Sequence, residues 1–250
     1  MSKPIVLKIS GHQIDDSEFL TSLAQTIAKM QAPVIVVHGG GKEISEMQTL
    51  LGIEPHYVDG VRVTDARSLA IVTMVLCCTV NKRLVRYLLA EGLDAMGLSG
   101  VDRGIIRANK MPHPDIDMGY TGEVTEVNGD ALLDLITQGI TPVVAPLSLG
   151  EDSHYNVNGD HVAGAIAVAT QAERVIFLSN VEGVLVNDVV APELTSRKTD
   201  DLIQDGTIFG GMIPKVQTAL HALEAGVPQA VITNLKGLQT HGGTVFTQSE

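Results

Sequence analysis

Two lysines stand where a cation is costly unless an anion sits beside it. Lys8 interrupts the apolar run Ile5-Val6-Leu7-Lys8-Ile9, which has the composition of a central, buried strand. Burying a lone ammonium costs several kcal/mol without a partner. Ser10-Gly11 follow at once and suggest that the strand is ending. Two readings therefore stand: a strand-end lysine whose ammonium reaches solvent, or a cation at a strand's carboxyl end aimed at a phosphate. In the second, Gly11 lets backbone N–H groups approach the same anion. Lys215 closes the segment Gly210-Gly211-Met212-Ile213-Pro214-Lys215. Proline is accepted in a helix only in its first turn, so a helix starts near Ile213. Lys215 is then at the positive end of the helix dipole, where a cation is unfavourable. Local rules tend to be broken at functional sites, and an anion held jointly by the ammonium and the helix N-terminus accounts for the placement.

Other polar groups could share that task. His38-Gly39-Gly40-Gly41 lies between a strand-like run and a helix-like one. Three glycines at a helix N-terminus expose backbone N–H groups and form an anion cradle, although an ordinary glycine-rich turn has the same composition. The segment is neither the nucleotide P-loop nor G-x-G-x-x-G, because Ile44 occupies the last glycine position. A dinucleotide dehydrogenase thereby loses its main support. Arg62, in Val61-Arg62-Val63-Thr64-Asp65, is able to clamp a carboxylate with two parallel hydrogen bonds; a surface arginine is the competing reading. Thr64 or Asp65 is suited to cap the long helix that follows. In Asn156-Val157-Asn158-Gly159-Asp160, Asn158 makes a good N-cap and Asp160 falls in the first helical turn. Asn156 is left with an amide free for a ligand. His154 and His161 lack the further ligands that a metal site needs, and no Ser–His–Asp arrangement stands out.

These residues are positioned by alternating strand-like and helix-like segments. Strands are expected at Pro4–Ile9, Pro33–Val37, Asp94–Leu98, Thr141–Ala145, Arg174–Leu178 and Gln229–Thr233, with a β-hairpin across 104–127. Helices are expected between them, including a long one over Asp65–Ala90 that is broken at most once. The pattern describes an α/β fold with an open, largely parallel sheet between helical layers, in which ligands bind outside the strands' carboxyl ends. The chain's 250 residues, 44% of them apolar, suffice for one large domain or two closely packed lobes, joined near 175–180. The net charge of −12 disfavours nucleic acid as a partner and obliges any anionic substrate to meet a local positive pocket. The only two cysteines, Cys77 and Cys78, read as small core residues in a reduced, cytoplasmic setting. No leader peptide is recognisable, and no apolar stretch reaches the ~18 residues of a transmembrane helix.

The segments Val6-Leu7-Lys8-Ile9-Ser10-Gly11, His38–Gly41, Gly60–Asp65, Asn156–Asp160, Leu178–Leu185 and Gly210–Val216 occur in an order that resembles the acetylglutamate kinases of the amino acid kinase family. The resemblance spans Pro4 to about Phe246, and the Arg-Val-Thr-Asp stretch points to acetylglutamate within the family. It implies an αβα sandwich around a mainly parallel open sheet of about eight strands. Residues 1–174 would form an N-terminal lobe that binds the acyl amino acid and dimerises, and residues 175–250 a C-terminal lobe that binds ATP. By the same resemblance Lys8 and Lys215 stabilise the transferring phosphoryl group, with Asp160 holding both. Gly11, Gly40 and Gly41 offer N–H groups along the phosphate path and to the accepting carboxylate, and Arg62 and Asn156 grip the substrate's α-carboxylate end. Asn180, Val181, Gly183, Val184, Leu185, Thr207, Ile208 and Phe209 line the nucleotide pocket. Ser10-Gly11 departs from the family's usual pair of glycines, and Asn180 stands where many members have aspartate. The N-terminal helical extension of arginine-inhibited hexameric relatives is not seen, which points to a homodimer insensitive to arginine.

The implied reaction is ATP-dependent phosphorylation of the γ-carboxylate of N-acetyl-L-glutamate, a step of arginine biosynthesis. The acceptor is already anionic at pH 7, so no general base is needed, and the difficulty is bringing an anion to a polyanion. Mg²⁺ is expected to be carried on the nucleotide with few protein ligands. Two alternatives share the fold: a kinase for carrier-protein-linked aminoadipate or glutamate in lysine biosynthesis, and a non-catalytic amino-acid sensor.

Overall fold

In the computed structural model of the chain, which describes residues 2–11 and 13–248, the Val- and Ile-rich runs become a single eight-stranded sheet. Its strands lie in the order Glu193–Thr195, Thr244–Thr247, Ala230–Thr233, Arg174–Leu178, Ile5–Ile9, Val34–His38, Thr141–Ala145, Ala95–Ser99. All neighbours are parallel except Ala230–Thr233 with Thr244–Thr247. The strands from Arg174 onward form one half of the sheet and the earlier ones the other, with the halves meeting where Ile5 pairs with Arg174 and Lys8 with Phe177. Val34–His38 and Thr141–Ala145 are buried at every position, as expected of strands covered on both faces.

Strand alternation sends Ile5, Leu7 and Ile9 into one core and Val6 into the other. Helix Ser17–Ala28 and the helical stretch from Ala66 to Ala90 cover the first face. Helices Gly129–Thr137, Gly159–Ala169, Ser196–Gln204 and Met212–Glu224 cover the second. The result is an αβα sandwich, and Lys8 lies on the face that Gly159–Ala169 covers.

The expected hairpin is present, with Ile106–Lys110 antiparallel to Thr121–Val127. It also closes with Leu147–Leu149 and His154–Val157 into a four-stranded barrel. Those two strands have three and four residues, too few to display an alternation in sequence. A second hairpin pairs Tyr57–Val58 with Val61–Arg62 and turns at Asp59 and Gly60, both at positive φ, the arrangement a two-residue loop requires.

Two expectations are corrected: that no stretch is long and apolar enough to cross a membrane, and that both cysteines are core residues. The helix Ala66–Ala90 is continuous for 25 residues, unbroken, with a π-helical segment, Met74–Val80, within it. By length and composition it qualifies as a membrane span, but half of its most apolar stretch is buried inside the protein. Leu69, Val72, Leu76, Leu84 and Leu88 pack into the core on its inward side. The cysteines in the π-helical segment are not both core residues: Cys77 is half-buried and Cys78 exposed, since neighbours on a helix point in different directions. Burial pushes the Cys77 thiol up to about 11.

Candidate functional site

Parallel pairing of Ile5–Ile9 with Val34–His38 places their carboxyl ends side by side. The two glycine-containing loops that follow come into direct contact. A Cβ on Gly11 would lie 3.0 Å from Gly40 N and 3.2 Å from Gly41 N, tighter than most side chains adopt, so glycine lets the two backbones approach this closely without displacing either. Gly41 opens the helix Gly41–Leu50, whose N-terminus has no side-chain cap. An uncapped helix start leaves N–H donors for an anion.

Lys8 reaches across to the next helix on its face. Its Nζ lies 2.7 Å from Asp160 Oδ1, with the two side chains only 13% and 27% exposed. Asn158 caps this helix, its Oδ1 accepting from the Asp160 N–H at 2.8 Å. Lys8 is thus neither a solvent-seeking lysine nor an unpaired one. The expected bridge by Asp160 to both lysines is present on one side only. Lys215 Nζ donates to Gly211 O at 3.4 Å and makes no ion pair among the described residues. It does sit in the first turns of Met212–Glu224, a helix without a side-chain cap.

Arg62 is a buried cation, 7% exposed, and not the surface arginine of the competing reading. Its Nη1 donates to Gln48 Oε1, and its Nη2 to Gly41 O at 3.0 Å, Ser45 Oγ at 2.7 Å and Tyr57 Oη. Its guanidinium carbon lies 4.7 Å from the Tyr57 ring centroid, in cation–π range. All these partners are neutral, and burial lowers the guanidinium below the usual arginine value. No carboxylate pairs with Arg62 among the described residues. Asn156 is tied to the same corner: its Nδ2 donates to Thr64 Oγ1 at 3.1 Å, and Thr121 Oγ1 donates to Arg62 O at 2.6 Å. Asp65, not Thr64, caps the following helix, accepting from Ser68 N at 2.7 Å; Thr64 is fully buried.

The residues expected at the nucleotide divide into two kinds. Leu185 and Phe209 are exposed, Phe209 at 74%. Asn180 is exposed and accepts from Ser179 Oγ at 3.2 Å, and Val181 and Thr207 are half-buried. Val184 and Ile208 are core side chains of one cluster. Their N–H groups are engaged too, by Thr244 Oγ1 and Leu202 O. Gly183 is packed against Thr244 and Val190. Val184 and Ile208 therefore hold their segments onto the core and do not present side chains to a ligand.

Gln48, Ser45 and Tyr57 were not anticipated from the sequence. Gln48 left a legible signal: it follows Ile44 by four residues, and those two are the buried positions of their helix, so an amide stands on an inward stripe. Ser45 and Tyr57 carried none. A cavity of about 600 Å³ on the opposite face of the sheet, floored by Ile5, Ile176 and Leu238, contains none of the expected residues.

The family model for the amino acid kinase family matches residues 3–234. An acetylglutamate kinase of Roseiflexus castenholzii is 49% identical over 246 residues, covering 98% of this chain and 95% of that protein. One from Methanopyrus kandleri is 44% identical over 250 residues, covering 96% and 98%. The crystal structure of smu.665 from Streptococcus mutans superposes with a TM-score of 0.82 at 30% identity, covering 99% of each chain. The match of the family model over most of the length, together with relatives of this identity and coverage, shows that the chain belongs to the amino acid kinase family.

Proposed function

We propose that the protein transfers the γ-phosphoryl group of ATP to the γ-carboxylate of N-acetyl-L-glutamate, giving N-acetyl-L-glutamyl 5-phosphate and ADP, as a step of arginine biosynthesis. The observation that carries this reading is the buried Arg62, which has no acidic partner among the described residues and is bonded to Gly41 O of the glycine loop that Gly11 contacts. A buried cation left uncompensated is expensive, and a substrate carboxylate supplies the missing charge. The kinases of Roseiflexus castenholzii and Methanopyrus kandleri carry the name of this activity.

In the proposed reaction a γ-carboxylate oxygen attacks the γ-phosphorus. The bond from that phosphorus to the β,γ-bridging oxygen breaks, and ADP leaves with the electron pair. No proton moves, so the work is positioning and charge neutralisation. Lys8 and the N–H groups of Gly11, Gly40 and Gly41 meet the phosphoryl oxygens. Asp160 fixes the Lys8 ammonium. Lys215 approaches from the C-terminal half, its helix start adding positive potential. Arg62 and Asn156 hold the α-carboxylate end. The exposed Leu185 and Phe209 offer apolar surface to the adenine. Carried on the nucleotide, Mg²⁺ would supply charge neutralisation on the ATP phosphates.

The N-terminal half, residues 1–174, is the acceptor and dimerisation lobe in this reading, and 175–250 the nucleotide lobe. The outermost strand, Ala95–Ser99, is paired on one edge only among the described residues, with Met74, Leu89 and Met96 exposed, which supports a homodimer through that side. A cytoplasmic enzyme follows from the substrate. An ADP-release assay with N-acetyl-L-glutamate, glutamate and aminoadipate as acceptors tests the proposal. Turnover is expected with the acetylated substrate, and preference for either of the others overturns it.

A further inference from the structure

We propose that Asn81 is a positioning residue for the glycine loop, acting through His38 to aim the Gly40 N–H into the site; this rests on the reading of Gly40 as a cradle donor. His38 is fully buried at the end of its strand, and its Nδ1 lies 2.9 Å from Gly39 O. A carbonyl only accepts, so Nδ1 carries the proton. The other ring nitrogen, Nε2, lies 3.1 Å from Asn81 Nδ2 and accepts from it as a neutral imidazole. Asn81 Nδ2 also donates to Val143 O at 2.9 Å. These acceptors leave the amide one orientation, and the consequence is visible: Asn81 Oδ1 is buried with no hydrogen-bond partner. It faces Gly97, where a Cβ would lie 1.9 Å from Oδ1.

An orphaned buried acceptor is destabilising, and sites that break such rules tend to be functional. The relay ends where function needs it. Gly39 C=O and Gly40 N–H belong to one planar trans peptide and point in opposite directions. Holding the carbonyl on His38 therefore turns the Gly40 N–H away from the imidazole, to the side on which Gly11 approaches. The charged group acting on the ring is Glu43, which is itself paired with Arg83 at 2.7 Å.

The test uses the tautomer. In Asn81→Asp the carboxylate only accepts, so Nε2 must be protonated. An imidazolium still donates from Nδ1 to Gly39 O, whereas a neutral ring then presents a lone pair to that carbonyl and releases it. The kcat of Asn81→Asp with MgATP and N-acetyl-L-glutamate is expected to fall about ten-fold or more as pH rises through the new His38 ionisation, without a matching change in the wild type. Asn81→Ala is expected to lose kcat by a similar factor with KM nearly unchanged. Wild-type kcat in Asn81→Ala, or parallel pH profiles for Asn81→Asp and wild type, overturns the proposal. Should neither variant fold, ¹⁵N NMR of His38 in the wild-type protein decides: the Nδ1–H neutral form at pH 7 supports the relay, and the Nε2–H form overturns it. The Gly40 amide resonance tests the underlying site reading separately. It should shift on adding N-acetyl-L-glutamate with MgADP, and a resonance that stays fixed removes Gly40 from the cradle and the proposal with it.

Discussion

The Lys8 ammonium and the Asp160 carboxylate meet at 2.7 Å where a central strand and the first turn of helix Gly159–Ala169 converge. The contact holds the lysine at the carboxyl end of the sheet, beside the apposed loops of Gly11 and Gly40. It leaves the ammonium's other protons for an incoming anion, since Lys carries three donors.

Lys8→Met and Lys215→Met should each lower kcat by about 10²-fold or more, because each removes charge stabilisation from the transition state. Asp160→Ala should also lower kcat, by freeing Lys8 from its position. Steady-state ADP release measures all three, and wild-type turnover in either lysine variant removes that residue from the chemistry.

Arg62→Ala should raise KM for N-acetyl-L-glutamate by about 10- to 100-fold, the equivalent of roughly 1.5–3 kcal/mol of hydrogen bonding to a charged group. KM for ATP should change far less. Equal effects on both substrates would place Arg62 outside the acceptor site.

Gln48 accepts from Arg62 and donates to Ser68 Oγ at 2.8 Å in the interior. Gln48→Leu keeps the approximate volume and strands both partners, so it should cost about 1–3 kcal/mol of stability and raise KM for the acceptor. Urea unfolding midpoints and substrate titrations read the two effects. A variant as stable as wild type with unaltered KM would show that Arg62 holds its place without Gln48.

Burial lowers the His38 pKa from 6.5 to about 4. The unfolded chain then binds more protons than the native one between those values, so stability falls as pH drops through that window and is fully present above it. The contribution is roughly 3 kcal/mol at its largest. Unfolding free energies at pH 7, 6 and 5 should decline less steeply in His38→Asn than in wild type, and parallel slopes would contradict the assignment.

How far the molecule was legible beforehand differs by element. Val34–His38 and Thr141–Ala145 announced themselves because strands buried on both faces read as continuous apolar runs. The helix starts at Gly41, Gly159 and Met212 were marked by glycine, asparagine and proline, whose backbone preferences are local. The barrel was half visible: Thr121–Val127 is seven residues long, while Leu147–Leu149 and His154–Val157 are too short to show a period. Val184 and Ile208 were expected at a ligand and lie in the core, because a motif's order in the chain does not say which side chains turn inward.

By itself the sequence determined an α/β fold with a largely parallel sheet and glycine-rich turns between its strands and helices, since those features follow from local chemistry and chain order. It also identified the family, through motifs spread over nearly the whole length. Only the tertiary structure decided which charges meet. Lys8 pairs with Asp160 while Lys215 does not, Arg62 is enclosed by Gln48, Ser45 and Tyr57, and Asn81 reaches His38. Those pairings depend on side chains from separate elements converging within about 3 Å, a condition that packing imposes and that no local pattern encodes.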